Sequence, residues 1–328
     1  MKKILLIICI FTLLITGCGK ITSKDVIKEL ENKINKSSGY HLEGDLEITN
    51  HDEVYNYNIV VDTIKDDKYK VTFNNVSNGF RQIILKNDDG VFLLSPSLNK
   101  SFKFQSDWPY VHSQIYLLEA LIRDIKNDKD IIFKKSDKGY TITSKVDYPN
   151  NRNLVSEKIF IDNKYNIKSI NVYDSNDVLC MKFTINKIKY SPKYDKDFFV
   201  IDNMLKDVEE EKSTSVIEDV IYPLLLPEGT KLVNEEKVTK DNGERVIMTY
   251  DGEKSFLLVE ETLDVFNEFT VIPTAGEPYM LMDTIGVVTD NSLSWSSGNM
   301  EYYLVSDVMS REEMLDVAQS IVGVQSFK

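Results

Sequence analysis

Among residues whose chemistry follows from type and position, Cys18 stands first. It comes directly after Ile15-Thr16-Gly17. A thiol preceded by small residues at the end of an apolar segment is what a lipoprotein signal peptidase cuts before, once the sulfur has received a diacylglyceryl group. Lys2 and Lys3 supply the positive start, and Ile4 to Ile15 is apolar apart from Thr12. That stretch falls well short of the roughly 20 residues needed to span a bilayer, which predicts a signal segment and not a membrane helix. Cys18 would then carry covalent diacylglycerol, with no other cofactor expected. Acyl chains contributing about 0.8 kcal/mol per buried methylene would hold the protein on the extracytoplasmic face of the cell membrane. The alternative, an ordinary cleaved signal, leaves the small residue directly before the thiol unexplained.

The rest of the sequence is poor in reactive groups. Cys9 leaves with the signal, so Cys180 is the last unmodified thiol and no intramolecular disulfide can form. It lies between Leu179 and Met181 in an alternating stretch, which predicts a buried, inert thiol. His41, His51 and His112 are not at metal-ligand spacing. Neither a Gly-x-Ser-x-Gly elbow, a phosphate loop nor a His-Glu-x-x-His run occurs. Asp124, Asp128 and Asp130 lack the glycine and terminal glutamate of a calcium loop, and predict a solvated loop. No metal site is expected, and the reading is non-enzymatic.

Charge divides the chain. The formal net charge is −13, but residues 19–207 hold 29 Lys+Arg against 28 Asp+Glu, whereas residues 208–328 hold 8 against 24. Phosphates would be repelled by the second part, so nucleic acid is not expected as a partner. The acidic part reads as a well-solvated surface, or else as a contact for a basic protein or a domain pushed away from anionic lipid headgroups.

These groups must be positioned by a mostly β framework. From Thr22 or Ser23 a helix can start with Ile27, Leu30 and Ile34 on one face, ending near Ser37-Ser38-Gly39. Gly19 to Ser23 allow a reach of roughly 17 Å, so the folded body would sit close to the lipid. Period-two segments follow at Leu42 to Ile48, Tyr55 to Val61 and Tyr69 to Phe73. They continue at Ile83 to Leu85, Val91 to Leu94 and Phe102 to Phe104, with turns such as Asn78-Gly79 and Asp89-Gly90 between them. Such a pattern predicts half-buried antiparallel strands in a meander. Beyond Trp108-Pro109, Ile115, Leu118, Leu121, Ile122 and Ile125 recur at helical spacing, predicting a helix against the sheet. Strands resume at 131–133, 140–146, 158–161, 167–173 and 179–188.

At Val208 to Val216 the composition changes abruptly, with Glu209-Glu210-Glu211 and Ser213-Thr214-Ser215. The division expected is a signal peptide at 1–17, a lipidated tether at 18–22, a first domain at 23–207, a linker at 208–222 and an acidic α+β domain at 223–328. Strands are predicted near 231–233, 245–250, 255–260 and 301–305. Ser310 and Glu313 form a capping box before a final amphipathic helix through Met314, Val317, Ala318 and Ile321.

The order of helix, strand meander, apolar helix and further strands resembles the LolA, LolB and RseB superfamily. Ile84-Leu85-Lys86-Asn87-Asp88-Asp89-Gly90-Val91-Phe92-Leu93-Leu94 and Leu98 through Trp108-Pro109 are similar to the YdcC-type lipoproteins of spore-forming Gram-positive bacteria. Leu293-Ser294-Trp295, Tyr302 to Ser306 and the capped last helix are similar to the acidic domain that follows in that group. The resemblance implies an α+β chain: a curved antiparallel half-barrel with a helical plug, then a small α+β domain. It also implies a concave apolar surface, lined by Tyr57, Ile59, Val61, Tyr69, Val71, Phe73, Ile115, Leu118 and Ile122, that holds either an acyl chain or a partner's side chains. From the residues alone a stripe such as Tyr57, Ile59 and Val61 reads more readily as plain core than as a ligand cavity. The resulting expectation is an anchored protein-interaction or regulatory module of the envelope, acting in sporulation, with a lipid or acyl-chain carrier as the alternative.

Overall fold

The computed structural model describes residues 21–325 except 51–52, 66, 106–107, 109–112, 149–150, 152, 205–215, 218, 267 and 298–299. Helix α1 (Ser23–Lys36) opens on a capping box. The Thr22 amide donates to Asp25 Oδ2 at 2.8 Å and the Asp25 amide donates to Thr22 Oγ1 at 3.4 Å, satisfying two donors that a helix start leaves free. Val26 and Leu30 are buried on its inner face. Lys33 Nζ in the last turn donates to the carbonyls of Lys164 and Tyr165, clipping the helix to a distant turn.

The first sheet begins as the predicted meander: β1 (Tyr40–Asn50), β2 (Glu53–Ile64), β3 (Lys68–Asn75), β4 (Arg81–Asn87), β5 (Gly90–Ser95) and β6 (Lys100–Phe104). A second meander runs through β7 (Ile132–Ser136), β8 (Gly139–Lys145), β9 (Leu154–Asp162), β10 (Ile167–Asp174) and β11 (Leu179–Tyr190). The two join where β11 pairs antiparallel with β1. Register shifts there at Glu43/Gly44, and a Cβ on Gly44 would stand 2.6 Å from the Thr184 carbonyl oxygen and 2.7 Å from the Phe183 ring. Only glycine admits that approach. In β4 and β5 both faces are covered. Ile84 and Leu93 enter the main core, while Ile83, Leu85, Phe92 and Leu94 pack with Phe199 and Met204 on the opposite face.

Helix α2 (Leu118–Asn127) lies against β8 and α1. It starts later than the apolar spacing implies, and Ile115 falls in the turn before it. The reason is local: Leu117 provides no side-chain cap, and the nearby Ser113 hydroxyl donates instead to Asp124 Oδ2 at 2.6 Å. Asp124 is therefore buried inside the fold and not part of a solvated loop, and burial raises its pKa. Asp128 caps the helix end and accepts from the Asp130 and Lys145 amides.

The acidic part builds a second sheet from β12 (Lys231–Lys240), β13 (Gly243–Asp251), β14 (Phe256–Thr262), β16 (Glu277–Met280), β17 (Ile285–Val288), β18 (Ser292–Ser297) and β19 (Met300–Val305). Its order is β12-β13-β14-β19-β18-β17-β16. The intervening β15 (Thr270–Thr274) leaves this sheet and pairs in parallel with β6, making the first sheet twelve-stranded. Four strands, β15 to β18, are additional to those predicted. They are short; Pro273, Pro278 and Gly286 break the pattern of β15, β16 and β17, whereas β18 alternates over only six residues, most of them serine. Before α3 (Arg311–Gln325) the expected capping box is present: the Ser310 amide donates to Glu313 Oε2 at 2.7 Å and the Glu313 amide to Ser310 Oγ at 3.2 Å. The fold is α+β, with two open sheets, antiparallel except for the β15–β6 pair, sharing one main core. Among the described residues no helix is long and apolar enough to cross a membrane.

Candidate functional site

The two sheets meet along a seam, and one stretch of it is closed by polar contacts. Tyr57 donates its hydroxyl to the Met282 carbonyl at 2.9 Å, and Asn75 Nδ2 donates to the Asp283 carbonyl at 2.8 Å. Gln82 is held at three points: its Nε2 donates to the Ile285 carbonyl, and its Oε1 accepts from the Ile285 amide and the Thr284 hydroxyl. Lys100 of β6 pairs with Glu301 of β19 at 2.7 Å, with both side chains under a tenth exposed. A buried pair of this kind adds little net stability over an apolar contact, but losing either partner strands a charge.

Further along, the seam opens into a cavity of about 840 Å³. Ile48, Phe73, Ile84 and Ile115 line it from the first sheet and the turn before α2; Met282 and Ile285 line it from the second sheet. Between Pro223 and Pro227, Leu224 and Leu225 reach the same space while remaining 70% and 54% exposed. Such exposed apolar chain beside an apolar hollow marks a contact surface. Polar groups occupy the rim: Glu53, Asp174, Glu277, Asp316, Tyr148 and Tyr279. Asp316 is raised above the ordinary carboxylate range by burial and by its neighbours Glu312 and Glu313. Behind the wall, Glu157 is pushed well up by burial and by the nearby Asp124, and Ser144 donates to it at 3.0 Å.

Of the nine residues predicted to line an apolar surface, Phe73 and Ile115 border this cavity. Tyr57, Ile59, Val61, Tyr69, Val71, Leu118 and Ile122 are all buried in the main core. The sequence reasoning missed Leu224 and Leu225, although three consecutive leucines between two prolines are a visible signal for an exposed apolar loop. Cys180 lines the cavity as a half-buried thiol whose pKa is raised by burial. His41 sits between Asp62 and Glu43 at 2.7 and 2.8 Å, as part of a polar cluster on β1 and β2. Cys18, His51 and His112 lie outside the described residues. Among the described residues there is no group of three or more His, Cys, Asp or Glu placed to hold a metal.

No family model matches the chain. The sporulation protein YdcC of Bacillus subtilis (strain 168) is 35% identical over 321 residues, covering 96% of this chain and 94% of that relative. Among solved structures, the Pseudomonas aeruginosa MucA/MucB complex matches 90% of this chain and 97% of its own at 13% identity and a TM-score of 0.32. The LolA superfamily protein of Nitrosomonas europaea matches 56% of this chain and all of its own at 8% identity and a TM-score of 0.32. The length and identity of the YdcC match settle the kinship: the chain belongs to the family of the sporulation protein YdcC.

Proposed function

We propose that this protein is a non-enzymatic envelope lipoprotein of sporulation, tethered through diacylglycerol on Cys18, which uses the seam cavity to hold a segment of another envelope protein. The cavity carries the reading: an open apolar hollow bordered by leucines that face solvent. The kinship to a sporulation protein supports the setting, and the small-residue approach to Cys18 supports the anchor. An acyl chain would also fit the apolar floor, but a carrier has to travel, and a permanently anchored chain does not.

The test is genetic and chemical together. Leu225→Glu changes an exposed side chain, so the protein should accumulate normally while spore yield drops to the level of the deletion strain. Cys18→Ala should shift the protein from the membrane pellet to the soluble fraction. Normal sporulation with Leu225→Glu would remove the cavity from the account, and a Cys18→Ala protein that still pellets would remove the lipid. Stoichiometric acyl chains extracted from the purified protein would replace the protein ligand with a carrier role.

A further inference from the structure

Among the described residues, the charged side chains that line the cavity are of one sign. Glu53, Asp174, Glu277 and Asp316 border it, and among the described lining residues there is no Lys, Arg or His. Glu277 is partly offset, because Arg311 reaches it at 3.2 Å while also bridging to Asp290 at 2.7 Å. Asp174 Oδ1 accepts from the amides of Asn176 and Val178, contacts that fix the carboxylate in place without cancelling its charge. Glu53 accepts from the Tyr55 hydroxyl. Behind these groups stands the excess negative charge of residues 208–328, whose field adds at the mouth.

A second feature of the wall concerns hydrogen bonding. The Tyr148 ring lines the cavity while its phenol oxygen is buried behind it. Gln114, Asn151, Asn153, Asn176 and Gln319 also line the space, so amide groups are spread along it. Each side-chain amide both donates and accepts, so the wall suits an occupant that carries both kinds of group along its length. An acyl chain offers acceptors only at its head. A peptide offers a carbonyl and an N–H at nearly every residue.

Resting on the protein-binding reading above, we infer that the occupant is a cationic amphipathic peptide segment. Its apolar side chains lie on the Ile48, Phe73 and Met282 floor beneath Leu224 and Leu225, its Lys or Arg side chains meet the cavity carboxylates, and its backbone pairs with the wall amides. An anionic phospholipid or free fatty acid would instead bring negative charge to four carboxylates.

The experiment uses the whole lipidated protein in neutral detergent and labelled peptides that share one apolar core but are flanked by Lys, Ser or Glu, followed by fluorescence anisotropy. The Lys-flanked peptide should bind about tenfold or more tightly than the Glu-flanked one, and the gap should shrink as salt rises from about 50 mM to about 500 mM. Asp316→Asn combined with Glu53→Gln should remove most of the gap. The salt series on the unaltered protein decides the charge argument even if the double variant fails to fold. Equal affinity for Lys- and Glu-flanked peptides would overturn the charge inference and leave the protein-binding reading standing. Displacement of the Lys-flanked peptide by phosphatidylglycerol vesicles but not by neutral ones would likewise overturn it. Failure of every peptide to bind, with acyl chains extracted from the protein, would overturn both.

Discussion

The closed and open stretches of the seam are built from the same two sheets, yet they behave as opposites. In the closed stretch, side chains of the first sheet bind backbone groups of the second: Tyr57 to Met282, Asn75 to Asp283 and Gln82 to Ile285, with Lys100 and Glu301 as the one buried ion pair described across it. In the open stretch, the facing residues are largely apolar and do not meet. Directional contacts fix the spacing of the sheets, and that spacing holds the neighbouring hollow open where apolar surfaces alone would draw together. The difference teaches that the cavity is maintained by polar residues outside it.

The strongest way to break this comparison is Glu301→Ala. It leaves Lys100 buried without its carboxylate and should cost about 3–5 kcal/mol in urea unfolding. A loss below about 1 kcal/mol would mean that water reaches the seam and that the pair does not set the spacing. Next comes a contrast of two apolar truncations. Ile59→Ala, in the filled core, should cost about 2–5 kcal/mol, whereas Leu225→Ala, at the cavity mouth, should stay within about 0.5 kcal/mol. Similar losses at the two positions would show that Leu225 is structural.

The last effect is one of pH. Burial raises Asp283 from 3.8 to about 6, and its carboxyl accepts from the Ser297 hydroxyl. Because the folded chain holds this proton more tightly than the unfolded chain, its contribution is complete below about pH 4 and is lost as pH rises through about 6. Stability should fall by at most about 3 kcal/mol across that window from this group. Asp283→Asn should flatten that part of the profile; an unchanged slope would place the titration elsewhere.

Strand alternation in the first part of the chain was readable because one face of each strand is buried, and a period of two reports that directly. The same signal cannot separate a face that is filled from one that borders a hollow. Ile59 and Val61 end in packed core, whereas Phe73, on the next strand, borders the cavity. What decides between them is the distance to the second sheet, a long-range quantity set by Gln82 and Lys100 that leaves no local pattern. The β12 strand illustrates another limit. Nearly all of it is exposed at a sheet edge, so only its first residues show in the sequence. The expectation for Cys18 is of a different kind: it is read from linear chain alone and concerns residues outside those described.

The parallel pairing of β15 with β6 has a consequence for how the molecule comes into being. A chain emerges from its N-terminus, and β6 is made long before Thr270 to Thr274 exist. Until they arrive, that strand presents an unsatisfied row of amides and carbonyls at the border of the growing sheet, open to association with other chains. β15 then takes over as the edge strand, and Pro273, with no N–H to offer, makes it a poorer template than β6, which truncation anywhere before Thr270 would leave bare.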